Sequence, residues 1–394
     1  EPTIGPNSNT EAVNHFGTLT YTGDGNSTKN IRSGATGIGG EIDFKPDFTW
    51  IKGRIVANSN TLYDSVRGAG ANKALKSNST GTEGENDNSQ YGYLSSLETN
   101  GFNVVRGTTT SDSFMNQNNK TLVAWNWKAG GAPTVDNDAG ASAVPKAGSA
   151  KIDGSNATAS FAGTIPVTRL SANTTAGFSI VTYTGTGSAG TINHGLGATP
   201  SRIIVMGRNV SNTNVFIQDG IIGVTDPFTD YVAFGNPNGV LADDATMWAD
   251  TPPDGNVFKV GTGANTNQNT KTYVAYLFSN VDGYSKIGSY KGNGNADGTF
   301  VYTGFRPAMV MVKNVSNGFR GIIIDNVRDL FNPSGSWLSP DLPADEDDYS
   351  GSEPHDFLSN GFKLRKNTTT LNNSNDTLVY MAFAQVPFKY ANAQ

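Results

Sequence analysis

Apolar and polar positions alternate along this chain in short runs, each ending in Gly, Asn, Asp or Ser, and one such pattern returns three times. The runs FGTLTYTGDG from Phe16, GFSIVTYTGTG from Gly177 and GYSKIGSYKGNG from Gly283 each read as a strand entering a glycine-rich turn. A second block follows in the same order: KPDFTWIKGR, TPSRIIVMGRN and RPAMVMVKNV, opened by Pro46, Pro200 and Pro307. Proline tolerates the start of a strand but not its interior, so each marks a strand entry. The third block, TLYDSVRG, VFIQDGII and IIIDNVRD, is built around Asp64, Asp219 and Asp325. The fourth holds a turn at Gly101, Gly255 or Gly361, where Asn-Gly or Asp-Gly favours a hairpin. The fifth, KTLVAWNWK, KTYVAYLFS and DTLVYMAFA, closes each copy.

The Pro-to-Asp separations are 18, 19 and 18 residues, and the Asp-to-Gly separations 37, 36 and 36. Five blocks in one order at matched spacing define three homologous domains, residues 14–130, 172–282 and 283–394. Residues 131–171, rich in Gly, Ala, Ser and Thr, read as a linker or irregular insertion with one strand candidate, ATASFAG. Period-two alternation places Val123, Trp125 and Trp127 on one face of the closing strand, matched by Val274, Tyr276, Phe278 and by Val379, Met381, Phe383. Large apolar residues recur there while the opposite face is mixed, which predicts a row packed inside the sandwich of its own copy. The expected fold is all-β: three tandem β-sandwich domains of jelly-roll or concanavalin-like type.

Composition sharpens this picture. Charged residues make up 16% of the chain, below the usual quarter or so, and 47 glycines fill turns, which excludes a helical bundle. With no cysteine, disulfide scaffolds and thiol chemistry are absent, so apolar burial has to hold the fold. A net charge of −6 without a Lys/Arg block argues against nucleic acid, and no apolar run approaches the roughly 18 residues of a membrane helix. The chain starts at Glu1 without Met, which reads as processing, truncation or a place within a longer chain.

Chemistry-bearing patterns are sparse. His15, His194 and His355 lack metal-ligand spacing, and Gly-x-Gly strings such as Gly185-Thr-Gly187 follow from turn composition, so neither a metal enzyme nor any cofactor is expected. Asp345, Asp347 and Asp348 form a weak calcium candidate against a solvated loop. Asp64, Asp219 and Asp325 recur once per copy, which favours a shared turn or hydrogen bond over a catalytic carboxylate pair. Arg67 and Arg328, three residues after their aspartates, suit an internal ion pair that Ile222 removes from the second copy. Trp248 and Trp337 sit in turn-rich stretches, where an aromatic either stacks on a sugar ring or anchors the loop.

The stretches FKPDFTWIKGR, NTLYDSVRGA, YLSSLETNGF, VAWNWKAGG, GFSIVTYTGTGSAGTINHGLGATPSRIIV and YMAFAQVPFKYANA resemble a repeat domain of tail and virion proteins from tailed phages, especially marine ones. That resemblance implies a non-enzymatic tail fibre, spike or capsid-attached decoration at the virion surface. It implies lectin-like domains that meet other virion proteins and host surface glycans, with homo-oligomerisation. Repetition of weak contacts on one particle suits attachment. The competing expectations are a virion-associated polysaccharide-degrading enzyme and a bacterial secreted adhesin.

Overall fold

A computed structural model describes residues 11–109, 115–210, 216–219, 230–233, 238–348 and 355–384, the side chains of 216–219, 230–233 and 348 excepted. The fold is all-β, with three sandwiches whose inner sheets share one antiparallel four-strand order; the pairing of Ala150–Ile152 with Val167–Asn173 in the second copy is parallel. In the first copy the inner sheet is centred on the opening strand Phe16–Thr22, the closing strand Thr121–Trp127, and the strands Phe48–Gly53 and Thr61–Asp64, in that spatial order. The second copy repeats the order with Phe178–Thr184, Thr272–Phe278, Arg202–Gly207 and Phe216–Asp219. The third repeats it with Ser285–Lys291, Thr377–Phe383, Met309–Asn314 and Ile322–Asp325. Register is conserved too: Trp125 faces Trp50, Tyr276 faces Ile204 and Met381 faces Met311. Each strand of the second block begins two residues after its proline.

Over each inner sheet lies a smaller outer one, formed by Thr28–Arg32 with the hairpin Gly92–Glu98 and Gly101–Arg106 in the first copy. Phe300–Tyr302 with His355–Leu358 and Gly361–Leu364 forms its counterpart in the third, and Gly190–Asn193 with Val257–Val260 in the second. One contact marks the sandwich interior in every copy. A tyrosine of the opening strand meets a phenylalanine of the outer sheet edge-on: Tyr21–Phe102 at 6.2 Å, Tyr183–Phe258 at 6.1 Å and Tyr290–Phe362 at 6.0 Å. Each hydroxyl donates to a backbone carbonyl, of Met115, Thr266 or Leu371, as buried tyrosine requires. The glycine just beyond each strand has a packing reason: a Cβ on Gly23, Gly185 or Gly292 would lie 2.1 to 2.3 Å from a backbone oxygen of the facing turn.

The row on the closing strand faces elsewhere than period two suggested. Trp125, Trp127, Tyr276, Phe278, Met381 and Phe383 are buried, but in a core shared by all three copies, not inside the sandwich of each. Trp127, Phe278 and Phe383, at equivalent positions, touch one another at 6.2, 5.6 and 5.8 Å between ring centroids. Phe16 stacks on Phe383, and Phe48 packs on Tyr276 at 4.5 Å. Val123 and Val274 join this core, and Val379 packs with Val315 and with Leu241 of the second copy. The opposite face, Leu122 and Ala124 in the first copy and Tyr273, Ala275 and Leu277 in the second, fills the sandwich. Both faces of the closing strand are therefore buried, a situation in which alternation carries no sidedness.

Of the linker or irregular insertion expected for residues 131–171, the structure shows an insertion joined to the second copy's sheet. Ala150–Ile152, Ser155–Asn156 and Val167–Asn173 extend one edge of the second copy's inner sheet, which with Asp230–Ala233 and Ala242–Asp243 at the other edge reaches nine strands, and Ala150, Ile165, Val167 and Leu170 lie in its core. The boundary at 171/172 cuts through one of these strands, and ATASFAG forms none. One glycine of this extension serves close packing: a Cβ on Gly163 would lie 2.9 Å from the Thr191 carbonyl oxygen.

Candidate functional site

The recurring aspartate ends the third-block strand and turns the chain. Asp64 Oδ1 accepts from the backbone of Val66 and Arg67, and Asp325 Oδ1 from Val327 and Arg328. The other carboxylate oxygen meets Nε of the arginine three residues on, at 2.5 Å for Arg67 and 2.6 Å for Arg328, with all four side chains buried. The ion pair expected from sequence is present in both copies. Each arginine then reaches a glutamate that bridges to an arginine of another copy: Arg67–Glu83–Arg208 and Arg328–Glu346–Arg54. The row residue of the neighbouring copy completes each set. Tyr276 donates to Asp64 at 2.7 Å, and Trp125 Nε1 donates to Asp325 at 3.0 Å.

Burial pushes the Tyr276 phenol well above its ordinary range, so it donates as a neutral hydroxyl. Burial alone would raise the Glu346 carboxyl, but hydrogen bonds from Arg54 and the charge of Arg328 hold it below the ordinary range. At the remaining interface Asp219 faces Arg202 across the strand pair, and the side chain of Asp219 lies outside the described residues, as does Ile222. One backbone bond recurs at all three interfaces: Glu83 N to Arg208 O, Glu346 N to Arg54 O and Leu241 N to Val315 O. These recurring residues hold the copies in register.

The aromatic candidates are interior. Trp248, on the short helix Ala245–Trp248, is fully buried in the second copy's core, and Trp337 is 2% exposed in the shared core. Neither offers a face to a sugar ring, because a turn-rich sequence folded over a large apolar side chain buries it. The acidic stretch is likewise drawn into ion pairs. Asp341 binds Lys313, Glu346 is bridged as above, and Asp347 binds Arg320. Asp345 is exposed, the Asp348 side chain lies outside the described residues, and no cluster of metal-ligating side chains occurs among the described residues.

A cleft of about 510 Å³ does open where the first copy meets the insertion. His15 stands before the opening strand, Lys45 and Asp47 before Phe48–Gly53, and Lys128 to Ala132 leave the closing strand. Asp153 and Gly154 form the turn of the insertion's first hairpin, Asn173 ends the strand Val167–Asn173, and Thr175 follows it. Both carboxylates are engaged by their own chain. Asp47 accepts from Ser65 Oγ and from the backbone of Ala129 and Gly131, while Asp153 accepts from the backbone and hydroxyl of Thr174. Burial raises the Asp47 carboxyl despite those donors. Lys45 and Lys128 form no ion pair among the described residues.

Two neutral histidines frame the second sandwich. His15 Nδ1 takes the Asn173 amide at 3.1 Å, and His194 accepts from Leu196 N through Nδ1 and meets the Asp254 carbonyl through Nε2. Burial lowers both pKa values to about 4, helped at His15 by Lys128 and opposed at His194 by Asp254. Sequence reading passed over the cleft residues, since they come from separate segments and follow no motif.

A family model described as "Domain of unknown function (DUF7483)" matches residues 11–153 and again 146–387. No curated protein matches the chain.

Two predictions follow from these geometries. Asp325→Ala leaves the buried Arg328 with Glu346 alone and takes the acceptor from Trp125 Nε1, and urea unfolding should show a loss of about 3–5 kcal/mol. Asp325→Leu with Arg328→Met should recover most of it; an Asp325→Ala loss below about 1 kcal/mol contradicts the buried network. The histidines set a pH dependence. Their folded pKa values lie below the unfolded value, so the unfolded chain binds protons first and stability falls as pH drops from about 6.5 to about 4. The urea midpoint should decline across that window and decline less in His15→Phe; identical slopes in both proteins contradict the assignment.

Proposed function

We propose that this chain, which belongs to the DUF7483 family, is a non-enzymatic phage virion component: a tail fibre, spike or capsid-attached decoration that attaches the particle to its host. One observation carries the reading. Three sandwiches close around a common core, so their inner faces are used up and their outer sheets and loops point outward as one body. A body of this kind meets its partners already ordered, which removes much of the entropic cost of binding. The surfaces so displayed repeat within the chain and again across a particle, where weak contacts add through effective concentration.

The third copy differs from its siblings on the outer sheet in a way that suits protein contact. Phe300 and Tyr302 are 42% and 64% exposed, where the equivalent ladder positions carry Asn30 and Arg32 in the first copy and Thr191 and Asn193 in the second. Leu330 and Phe331, at 69% and 83%, add to it on the same copy. Exposed large apolar residues gathered on one module are a feature of surfaces that meet other proteins. Other virion proteins or another copy of this chain are the partners this reading assigns, with host glycans met elsewhere on the surface.

Gold-labelled antibody against the chain should decorate intact virions at a fixed location, and pure protein incubated with host capsule should release no reducing ends. Unlabelled particles, or steady release of reducing ends, contradict the proposal.

A further inference from the structure

The first strand of each outer sheet is an edge, and an edge whose amides and carbonyls are free is a template for another strand. The three copies treat this edge differently. In the second, the insertion seals it: Thr164 N and Ile165 N both donate to the Thr191 carbonyl at 2.9 Å, and Thr191 N donates to Thr164 Oγ1 at 2.9 Å. In the first, the strand Thr28–Arg32 is charged. Lys29 pairs with Asp24 at 3.2 Å, Arg32 Nε donates to Asn30 Oδ1 at 2.8 Å, and Ala35 N takes the Arg32 carbonyl.

The third copy's strand Phe300–Tyr302 has none of these devices. Thr299 O accepts from Leu364 N and Thr303 N donates to Asn360 O, a phase that points the amides and carbonyls of Phe300 and Tyr302 away from the neighbouring strand. No hydrogen bond reaches those groups among the described residues. The opposite edge of the same sheet is closed by its own chain: Ser334 and His355 exchange two backbone bonds, and the Asn332 side chain meets Phe357 N and O at 2.9 and 3.0 Å. Phe300 Cε2 stands 3.0 Å from where a Cβ of Gly361 would be, so this ring covers its own sheet and leaves the edge clear.

The strand is also complementary to itself. Set antiparallel about a two-fold axis through Val301, Phe300 and Tyr302 of one molecule exchange backbone bonds with Tyr302 and Phe300 of another. Each cross-strand neighbour is then of a favoured kind: Phe beside Tyr on the outer face, and Val301 beside Val301 and Thr299 beside Thr303 on the inner. A shifted register keeps only Phe300 against Phe300 or Tyr302 against Tyr302. Thr299 to Thr303 carries no charge to oppose the contact.

We propose that the Phe300–Tyr302 edge pairs antiparallel with the same strand of a second molecule of this chain, joining two outer sheets into one. The proposal rests on the protein-contact reading of this surface given above and names its partner. The contact is small, so free chains associate weakly, with a Kd of about 10–100 μM, and the pairing strengthens where a particle holds chains close together.

Sedimentation velocity of the full chain from about 1 to about 300 μM should show monomer giving way to dimer. Phe300→Asn with Tyr302→Arg, which gives the edge the first copy's residues, should abolish the dimer. Tyr302→Pro, which removes an outward N–H and no inward bond, should abolish it too, both with melting temperatures near that of the wild type. Because the chain lacks cysteine, a disulfide reports the register. Val301→Cys sets two thiols on facing residues with Cα atoms about 4.5 Å apart and should cross-link under oxidation, whereas Phe300→Cys, offset along the strand, should not. A wild type monomeric throughout that range, a dimer that survives both edge variants, or equal cross-linking by the two cysteine variants would each overturn the pairing. Particle labelling separates the two readings: labelled virions with a monomeric chain remove the self-pairing alone and leave the edge to another virion protein, and a self-paired chain absent from virions removes the virion role alone.

Discussion

Three rings at equivalent positions, Trp127, Phe278 and Phe383, meet at the centre of the molecule, and the arrangement of everything else follows from that contact. Each belongs to a different copy and lies on a closing strand whose other face fills its own sandwich. A sheet buried on both faces cannot end a domain, so no copy has a surface of its own on that side. Burying a large side chain contributes on the order of 1.5–3 kcal/mol, and a well-oriented ring pair roughly 0.5–1.5 kcal/mol more. Without cysteine, this shared apolar burial is what joins three units of about 110 residues into one body.

Around the apolar centre the interfaces are alike in backbone and unlike in chemistry. The same amide-to-carbonyl bond crosses all three, but charged relays built on Asp64–Arg67–Glu83 and Asp325–Arg328–Glu346 cross only two among the described residues. Buried ion pairs add little net stability when compared with good apolar packing, and their best-attested use is to fix one arrangement over others. The third copy's exposed aromatics and the insertion's cleft are further departures from symmetry, and both are placed on the outside.

Much of the fold was legible in the sequence. The five blocks, their spacing, the prolines before strands and the turn glycines all describe local structure, and local structure is what a repeat preserves. The Asp–Arg pairing was legible for the same reason, being three residues apart. Less legible was what each surface meets. Val123, Trp125 and Trp127 have the spacing of a buried row, but spacing does not say which layer buries it. Trp248 and Trp337 looked like loop aromatics because the turns around them are local while the cores that take them are not. Residues 131–171 read as a linker or an irregular insertion because their composition, rich in Gly, Ala, Ser and Thr, is that of a tether, whereas strand pairing with the second copy is set by partners distant in sequence. The cleft was invisible, as His15 and its partner Asn173 are 158 residues apart.

The coupling of the three copies is tested most directly by native-state hydrogen exchange on the full chain with Trp127→Ala. Removing one ring from the central triangle should speed exchange in all three closing strands, Thr121–Trp127, Thr272–Phe278 and Thr377–Phe383, by similar factors. Faster exchange confined to Thr121–Trp127, with the other two strands as protected as in the wild type, would show three independent sandwiches and contradict the common core.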